Sequence, residues 1–568
     1  MQSVFLFITI LITPFAFSQS WEWSASAGSD KSDKGIDIDT DAEGNVYVCG
    51  YYNTTTNGGA NFGPLGTSAT GFGKEGFVAR IDADGNWQWV KIAQGGWDER
   101  VLGMCVDKIN NWVYVTGTCW NQTDFGSCTA TYPGSSDNIF VGKFDLSGNC
   151  QWLVGAGGGS DDHGFDLVTD NDGNIYLTGL ISNEYNPGQV MNCTFSNLSI
   201  PVPLGEDSLA FVAKMDPNGT FKWVKTFKAT DGERDNRIAI DDSANIYVCG
   251  GFWGSGVNFD GSTVSTKGGM DIFVVKYDSA GNRKWVKTTG GILDDRANSI
   301  TVDKYNQIYV TGEFRDNVSF DGDTVNNHGG PNGRDVFVAK MTTNGNWIWA
   351  KRAGSDQGSE RGNRIISNKQ GDIYFTGEYQ DTAKFGTQIT LISSPGNLEV
   401  FVACMDTGGT WKWVLSGGSP GEDRGNGLAI DEQCNLYNCG YYDSTAYFGN
   451  SSVTAQGARD VFVSKIMQAC RLLPYEISGV VIVPTAFTPN GDGNNDFLYP
   501  YGTADVSKLE FEIFNRWGEK IFATNDKTKG WDGTFQGKSV EMGVYAYRLK
   551  VVIGGKTSET AGNVTLIR

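Results

Sequence analysis

Between Trp21 and Ile466 one stretch of sequence recurs seven times, and this repeat constrains the fold more tightly than any other property of the chain. Each copy carries a Trp-containing strand, a Gly-Asn-x-Tyr type strand and a Phe-Val-x-Lys type strand. The tyrosines are Tyr47, Tyr114, Tyr176, Tyr247, Tyr309, Tyr374 and Tyr437, spaced 62 to 71 residues apart. The Phe-Val runs begin at Phe77, Phe140, Phe211, Phe273, Phe337, Phe401 and Phe462. A period of this length, built from short alternating segments, is the signature of a β-propeller. Seven copies predict an all-β, seven-bladed β-propeller.

The order within a copy predicts the blade. In one copy, residues 298–303 alternate and read as the innermost strand, 307–312 as the second, 335–340 as the third and 347–351 as the outermost. Asp-x-x-Gly-Asn turns, such as Asp82 to Asn86 and Asp278 to Asn282, link strands one to two and three to four. Asp caps such a turn through its side chain, and Gly supplies the positive φ. No Trp strand follows the last Phe462 run, whereas an orphan strand holding Trp21 and Trp23 precedes the first inner strand. The ring is therefore expected to close with the N-terminal strand as the last blade's outer strand, which removes a sheet edge.

Eleven of the 17 tryptophans occupy the outer-strand position and read as blade packing. Trp120 and Trp253 fall in longer connections and are the aromatic candidates for ligand contact. Those connections, residues 51–76, 118–139, 180–210, 251–271, 313–335, 378–399 and 441–460, vary in length and are the expected site of function over a rigid scaffold. The connection into each new blade holds an acidic-basic cluster, including Asp98 with Arg100, Asp161 with His163, Glu233 with Asp235, Asp294 with Arg296, Glu360 with Arg361, and Asp423 with Arg424. Repetition places these in a ring near the channel mouth. Either they bind a cation or polar ligand, or they bridge adjacent blades; a ligand site requires the ring to lose its symmetry.

The net charge is −20 and the sequence pI about 4.6, a surface that repels nucleic acid. Residues 2–17 are almost wholly apolar, and the small residues before Ser18 suit signal-peptidase cleavage after that position. The basic stretch usual before such a run is missing, and a membrane anchor is the competing reading; the run is short for a spanning helix. Eleven cysteines are present. Cys49, Cys249 and Cys439 share one repeat position and read as buried and unpaired, whereas Cys119 and Cys128 flank one loop and can pair.

The repeat motifs resemble the bacterial SBBP propeller repeats over roughly residues 21–466. The last part is more distinctive. It holds Pro484 to Asp496, Ile513 to Phe522, a Trp531-Asp-Gly-Thr run, Gly543 to Tyr547 and a terminal Gly562 to Arg568. In that order these motifs resemble the gliding motility-associated C-terminal domain of Bacteroidota, the type B sorting domain of type IX secretion. Its alternating strands and Gly-rich turns suit a small Ig-like β-sandwich. The expected organisation is a signal peptide (1–18), a propeller (19–469), a linker (470–483) and a sorting domain (484–568). The resemblance implies export across the outer membrane, with the type IX translocon and associated surface proteins as partners. It marks Trp517, Trp531, Gly562, Thr565 and Arg568 as sorting-signal residues. Asn490, Asp492, Asn494 and Asp496 place oxygen ligands at alternate positions, as in a calcium loop, or form an Asn- and Asp-capped glycine turn. No other cofactor is indicated.

Only two histidines occur, His163 and His328, and no zincin or phosphate-loop motif is present. The expectation is a non-catalytic surface protein for adhesion or gliding, binding a polysaccharide or another surface ligand. A carbohydrate-active enzyme built on a carboxylate pair and a structural cargo of the motility apparatus are the alternatives.

Overall fold

The computed structural model describes residues 19–467 and 469, except 55–57, 68–72, 133–135, 184–189, 204–207, 229–235, 330–332, 357, 388 and 394–395; beyond these it describes 483, 486–489, 496–500, 506–526, 529–553 and 556–567. The signal-peptide reading and linker residues 470–482 lie outside the described residues. The chain divides into two compact units, Met1–Cys470 and Arg471–Arg568. Among the described residues there is no helix, and every named element is a strand.

The first unit is propeller-like. Seven antiparallel sheets share one four-stranded meander. In the fifth, the strands run Arg296–Val302, Gln307–Phe314, Asp335–Thr342 and Trp347–Gly354. The seven first strands begin at Lys34, Arg100, His163, Arg237, Arg296, Arg361 and Arg424. Each packs beside the next, and the last packs beside the first, so they surround a central channel. The seventh sheet takes its fourth strand from the N-terminus. Trp21–Gly28 lies antiparallel to Asp460–Ile466, with Trp21 opposite Ile466 and Ala27 opposite Val461.

Local chemistry explains the repeat. In the first Asp-x-x-Gly-Asn turn, Asp41 Oδ1 accepts the N–H groups of Glu43 and Asn45 at 3.0 and 2.9 Å. Its Oδ2 takes the Asn45 amide at 2.8 Å and the buried Tyr47 hydroxyl at 3.0 Å. The same Asp-to-Tyr bond joins Asp170 to Tyr176, Asp241 to Tyr247, Asp303 to Tyr309 and Asp431 to Tyr437. The motif is thus a turn and a core anchor in one. The turns between third and fourth strands serve the neighbouring sheet. Trp23, Trp89, Trp152, Trp223, Trp285 and Trp349 each donate an indole N–H to a carbonyl in the next sheet's turn, at 3.0–3.3 Å. Gly281 in one such turn has φ +81°, and a Cβ there would stand 2.9 Å from the Trp223 ring. Glycine is needed twice over, for the backbone and for the indole.

The connections expected to be variable loops are instead hairpins. Asn61–Gly66, Gln122–Thr131, Met191–Val202 and Thr382–Ile392 each pair with the fourth strand of the preceding sheet. The other three, Val257–Val264, Val318–Val325 and Thr445–Thr454, form separate two-stranded ribbons. All seven carry one phenylalanine in register: Phe62, Phe125, Phe195, Phe259, Phe320, Phe385 and Phe448. Each is buried, with its ring 4.7–5.9 Å from the third-strand phenylalanine. The hairpins cover outer edges that would otherwise invite strand addition.

Cys119 and Cys128, which the sequence left able to pair, do not: the bond joins Cys128 to Cys150. Cys119 lies inside a second strand opposite Asn138 and is buried, whereas Cys128 sits in the hairpin near the fourth strand that starts at Cys150. Cys49, Cys249 and Cys439 are buried free thiols whose pKa values burial pushes up.

The second unit holds a five-stranded sheet in the order Ala486–Phe487, Lys556–Leu566, Gly543–Ile553, Val506–Phe514, Lys520–Thr524, with the first pair parallel. A ribbon, Thr534–Phe535 with Lys538–Ser539, and a bridge between Leu498 and Trp531 accompany it. Trp531 is fully buried at the core, 5.0 Å from Tyr545 and 5.3 Å from Phe487.

Phe448→Ala should cost about 3–5 kcal/mol, the usual loss for a buried aromatic, and lower the Tm of the first unit by several degrees. Removing residues 19–28 should do more, because both the seventh sheet and the hairpin at Asn61 lose their partner. Unchanged calorimetric melting of either variant would contradict the closure described.

Candidate functional site at the channel mouth

First strands begin where second strands end; Arg296 lies opposite Glu313 and Arg424 opposite Tyr441. The hairpin segments therefore leave from the same face as Arg100, Arg296 and Arg424, and the Asp-capped turns lie on the other. On this face a cavity of about 560 Å³ opens at the channel mouth. Its cations are Lys34, Arg100, Arg237, Arg296, Arg361 and Arg424, against the carboxylates of Asp137, Asp161 and Glu313. Arg100 holds Asp137 at 2.8 Å, and Arg361 holds Glu313 at 2.6 Å. Two residues into the first strand the ring breaks symmetry. Sheets one to three present Ile36, Leu102 and Phe165; sheets five to seven present Asn298, Asn363 and Asn426. Each of those asparagines donates its amide to a first-strand glycine carbonyl of the next sheet, at 3.1, 2.9 and 2.8 Å.

One layer deeper, four charges from four different sheets meet across the channel. Arg364 lies 3.3 Å from Asp37 and 3.5 Å from Asp166, and Arg237 lies 3.9 and 3.8 Å from the same carboxylates. Backbone N–H groups of Ile38 and Leu167 complete the carboxylates. Such a buried, balanced set is strongly destabilised when one member goes, because an uncompensated charge is left behind. Arg364→Met should therefore cost about 3–5 kcal/mol, read as a lower denaturant midpoint. Replacing all four by apolar residues of similar size should restore most of it.

The acidic ring predicted at this face resolves into two groups with different work. Asp33, Glu99, Asp162, Asp295, Glu360 and Asp423 are buried. They act largely as backbone caps: Asp162 accepts the N–H groups of Gly158 and Ser182, Asp295 those of Gly291 and Arg315, and Asp423 those of Ser419 and Asp443. The outer acids tether loops; Asp98 pairs with Lys74 at 3.1 Å, and Asp294 accepts the Met270 N–H. Of the predicted set, Arg100, Arg296 and Arg424 line the cavity, while Asp98, Asp294 and Asp423 are engaged with the backbone and neighbouring loops.

Burial pushes these capping carboxyls up, Asp33 to about 6, Asp295, Glu360 and Asp423 to about 7, and Glu99 and Asp162 to about 8. Their folded values exceed the unfolded ones, near about 4, so the fold binds these protons more tightly. The resulting stability is complete below about pH 4 and is lost as pH rises through about 6 to 8. Thermal unfolding should show a higher Tm at pH 5 than at pH 8.5, and Glu99→Gln should flatten part of that slope. A Tm that rises over this interval would contradict it.

Trp120 ends a second strand and is half-buried, whereas Trp253 follows the second strand of the fourth sheet and is 42 % exposed. They belong to different sheets, and neither lines the cavity. Of the calcium-loop residues, Asn490, Asp492 and Asn494 lie outside the described residues and Asp496 within them. Among the described residues no cluster of three His, Cys, Asp or Glu suits a metal ion. Of the sorting-signal residues, Trp531 is core, Gly562 and Thr565 lie in the last strand, Trp517 is 81 % exposed, and Arg568 lies outside the described residues. Sequence reasoning missed Lys34, the Asn and apolar halves of the mouth, and the Arg237 and Arg364 layer. Aligning the seven first strands by position exposes all three.

Residues 481–566 match the family model described as CHU_C Type IX secretion signal domain. The chain thus carries a type IX secretion signal at its C-terminal end, and such a signal implies export across the outer membrane. An uncharacterised WD repeat-containing protein of Acanthamoeba polyphaga mimivirus is 21 % identical over 470 residues, covering 70 % of this chain and 33 % of that protein. The chain thus spans about a third of that relative. A puromycin hydrolase structure aligns at 8 % identity and TM-score 0.36, covering 91 % of this chain and 59 % of that one. The PorZ surface component of the Porphyromonas gingivalis type IX secretion system aligns at 10 % identity and TM-score 0.17, covering 95 % and 100 %.

Proposed function

We propose that this chain is a type IX secretion cargo that works at or beyond the cell surface as a non-catalytic binding protein. On this reading residues 1–18 are a signal peptide. The repeats are of the SBBP type and form a seven-bladed β-propeller closed by its N-terminal strand. The C-terminal unit is an Ig-like sandwich addressed to the outer-membrane translocon and its associated surface proteins. The family match over 481–566 supports the route. The binding role rests on one observation: a symmetric ring of seven sheets ends in an asymmetric, polar cavity of about 560 Å³, within the size range of ligand pockets. Against catalysis, the carboxylates that line it are engaged. Asp137 is paired with Arg100, Glu313 with Arg361 and Arg334, and Asp161 accepts the Asp137 N–H. A glycosidase needs a free acid and base facing each other across the bond it cuts.

The route is tested by truncation. Ending the chain at Ala561 removes the partners of Gly543–Tyr547 and of Ala486–Phe487 from the middle of the sheet. The truncated protein should accumulate in the periplasm with its propeller folded, and normal surface display would refute the address. The role is tested by offering the purified chain a panel of polysaccharides. Retention without product is expected, whereas released sugar would make the protein an enzyme.

A further inference from the structure

The channel mouth combines three kinds of surface that rarely meet by chance. Guanidinium and ammonium groups converge from five first strands, Lys34, Arg100, Arg296, Arg361 and Arg424. Lys34, Arg424 and Arg459 stand 5.1, 5.9 and 5.3 Å from the same Tyr441 ring. Arg424 is offset by the buried Glu378 at 3.6 Å and Arg459 by Asp443 at 3.3 Å, yet the cavity lining still carries more cations than carboxylates, and that excess draws an anion. Burial and then Arg424, Arg459 and Lys74 pull the Lys34 pKa down, and burial and then Arg100 pull His163 down to about 4. This cation-rich lining stands in a chain of net charge −20, so an anion meets it in preference to the rest of the surface.

The second surface is a set of acceptors. Asp137 and Asp161 line the same cavity, as does the Asn298, Asn363 and Asn426 arc. Carboxylates repel a dianion but accept hydrogen bonds from hydroxyl groups. The third surface is apolar, made by Ile36, Leu102 and Phe165, with Phe165 stacked 5.9 Å from His163. A simple phosphate needs only the first surface, and an apolar ligand needs only the third. A sugar acid needs all three: a carboxylate for the guanidinium groups, hydroxyls for the carboxylates and amides, and a C–H face for the apolar arc.

We infer that the channel mouth is a binding site for a sugar acid, a uronate-type residue of an acidic polysaccharide, with its carboxylate toward Lys34 and the arginines and its ring against Ile36, Leu102 and Phe165. This rests on the proposed binding role and names the ligand class for it. The asymmetry of the ring gives the site its orientation. The ion-paired layer of Asp37, Asp166, Arg237 and Arg364 forms its floor, so the ligand enters the mouth and does not thread the channel.

The test is calorimetric titration of the full mature chain with a galacturonate trisaccharide, its carboxyl-reduced neutral counterpart, inorganic phosphate and a short oligothymidylate. The acid trisaccharide should bind at least tenfold more tightly than the other three, and more weakly as salt is added. Lys34→Gln should lower that affinity at least tenfold with an unchanged Tm, and Phe165→Ser should lower it for the trisaccharide while leaving phosphate unaffected. Trp253→Ala, at a residue that does not line the mouth, should change nothing. Equal binding of the reduced sugar, preference for phosphate or the oligonucleotide, or undiminished binding by Lys34→Gln would overturn the inference. Retention of a neutral polysaccharide with no response to sugar acids would overturn the ligand class while leaving the binding role intact. Absence of any polysaccharide binding would remove both.

Discussion

The contact on which the propeller unit depends is the indole of a fourth-strand tryptophan lying on the turn of the next sheet. Six such staples run in one direction round the ring, from Trp23 onto Ala83 to Trp349 onto Thr407. Each satisfies a turn carbonyl and packs on a glycine that no other residue can replace without strain. The seventh turn does not exist, because there the N-terminal strand completes the sheet. Closure by the chain's own beginning takes the place of the missing staple. The Asp-capped turns and buried tyrosines set each sheet, while the indoles set the angle between sheets. The phenylalanine of each hairpin then shields the outer surface.

A ring built by repetition has no reason to be polar or apolar on one side of its axis. The departures from symmetry are therefore the informative residues. Opposite the second-strand residue two places after the repeat tyrosine, four first strands carry Asp37, Asp166, Arg237 and Arg364, and these charges close the channel. Position two is apolar over one arc and amide-bearing over the other. By contrast a buried carboxyl recurs in every described copy, and Asp33, Asp162, Asp295 and Asp423 use it to hold backbone N–H groups, as residues required by the scaffold should.

Much of the fold was legible because the repeat reports local chemistry. The strand order, the turn positions and the partner of Trp21 follow from landmarks that recur seven times. The hairpins escaped notice because their register varies and their one constant, a phenylalanine before a residue of positive φ such as Gly63 or Asp321, is short. The Cys128 bond is not legible in the sequence, because Cys119 lies nearer along the chain whereas the hairpin folds back to Cys150. The site was legible only in part. Arg100, Arg296 and Arg424 stood out as charges, but the acids beside them turn away to cap loops. Whether a charged residue faces the axis or the backbone is set by strand pleat and tertiary closeness, neither of which a single cluster reveals.

The proposed binding role rests on the broken symmetry of the mouth. The most direct measurement is a crystal structure of the mature chain grown with a galacturonate trisaccharide. The account predicts a sugar ring against Ile36, Leu102 and Phe165, with its carboxylate within hydrogen-bond distance of Lys34 and at least one of Arg100, Arg296 and Arg424. An empty mouth at saturating ligand, or a sugar seated on the hairpins instead, would contradict it.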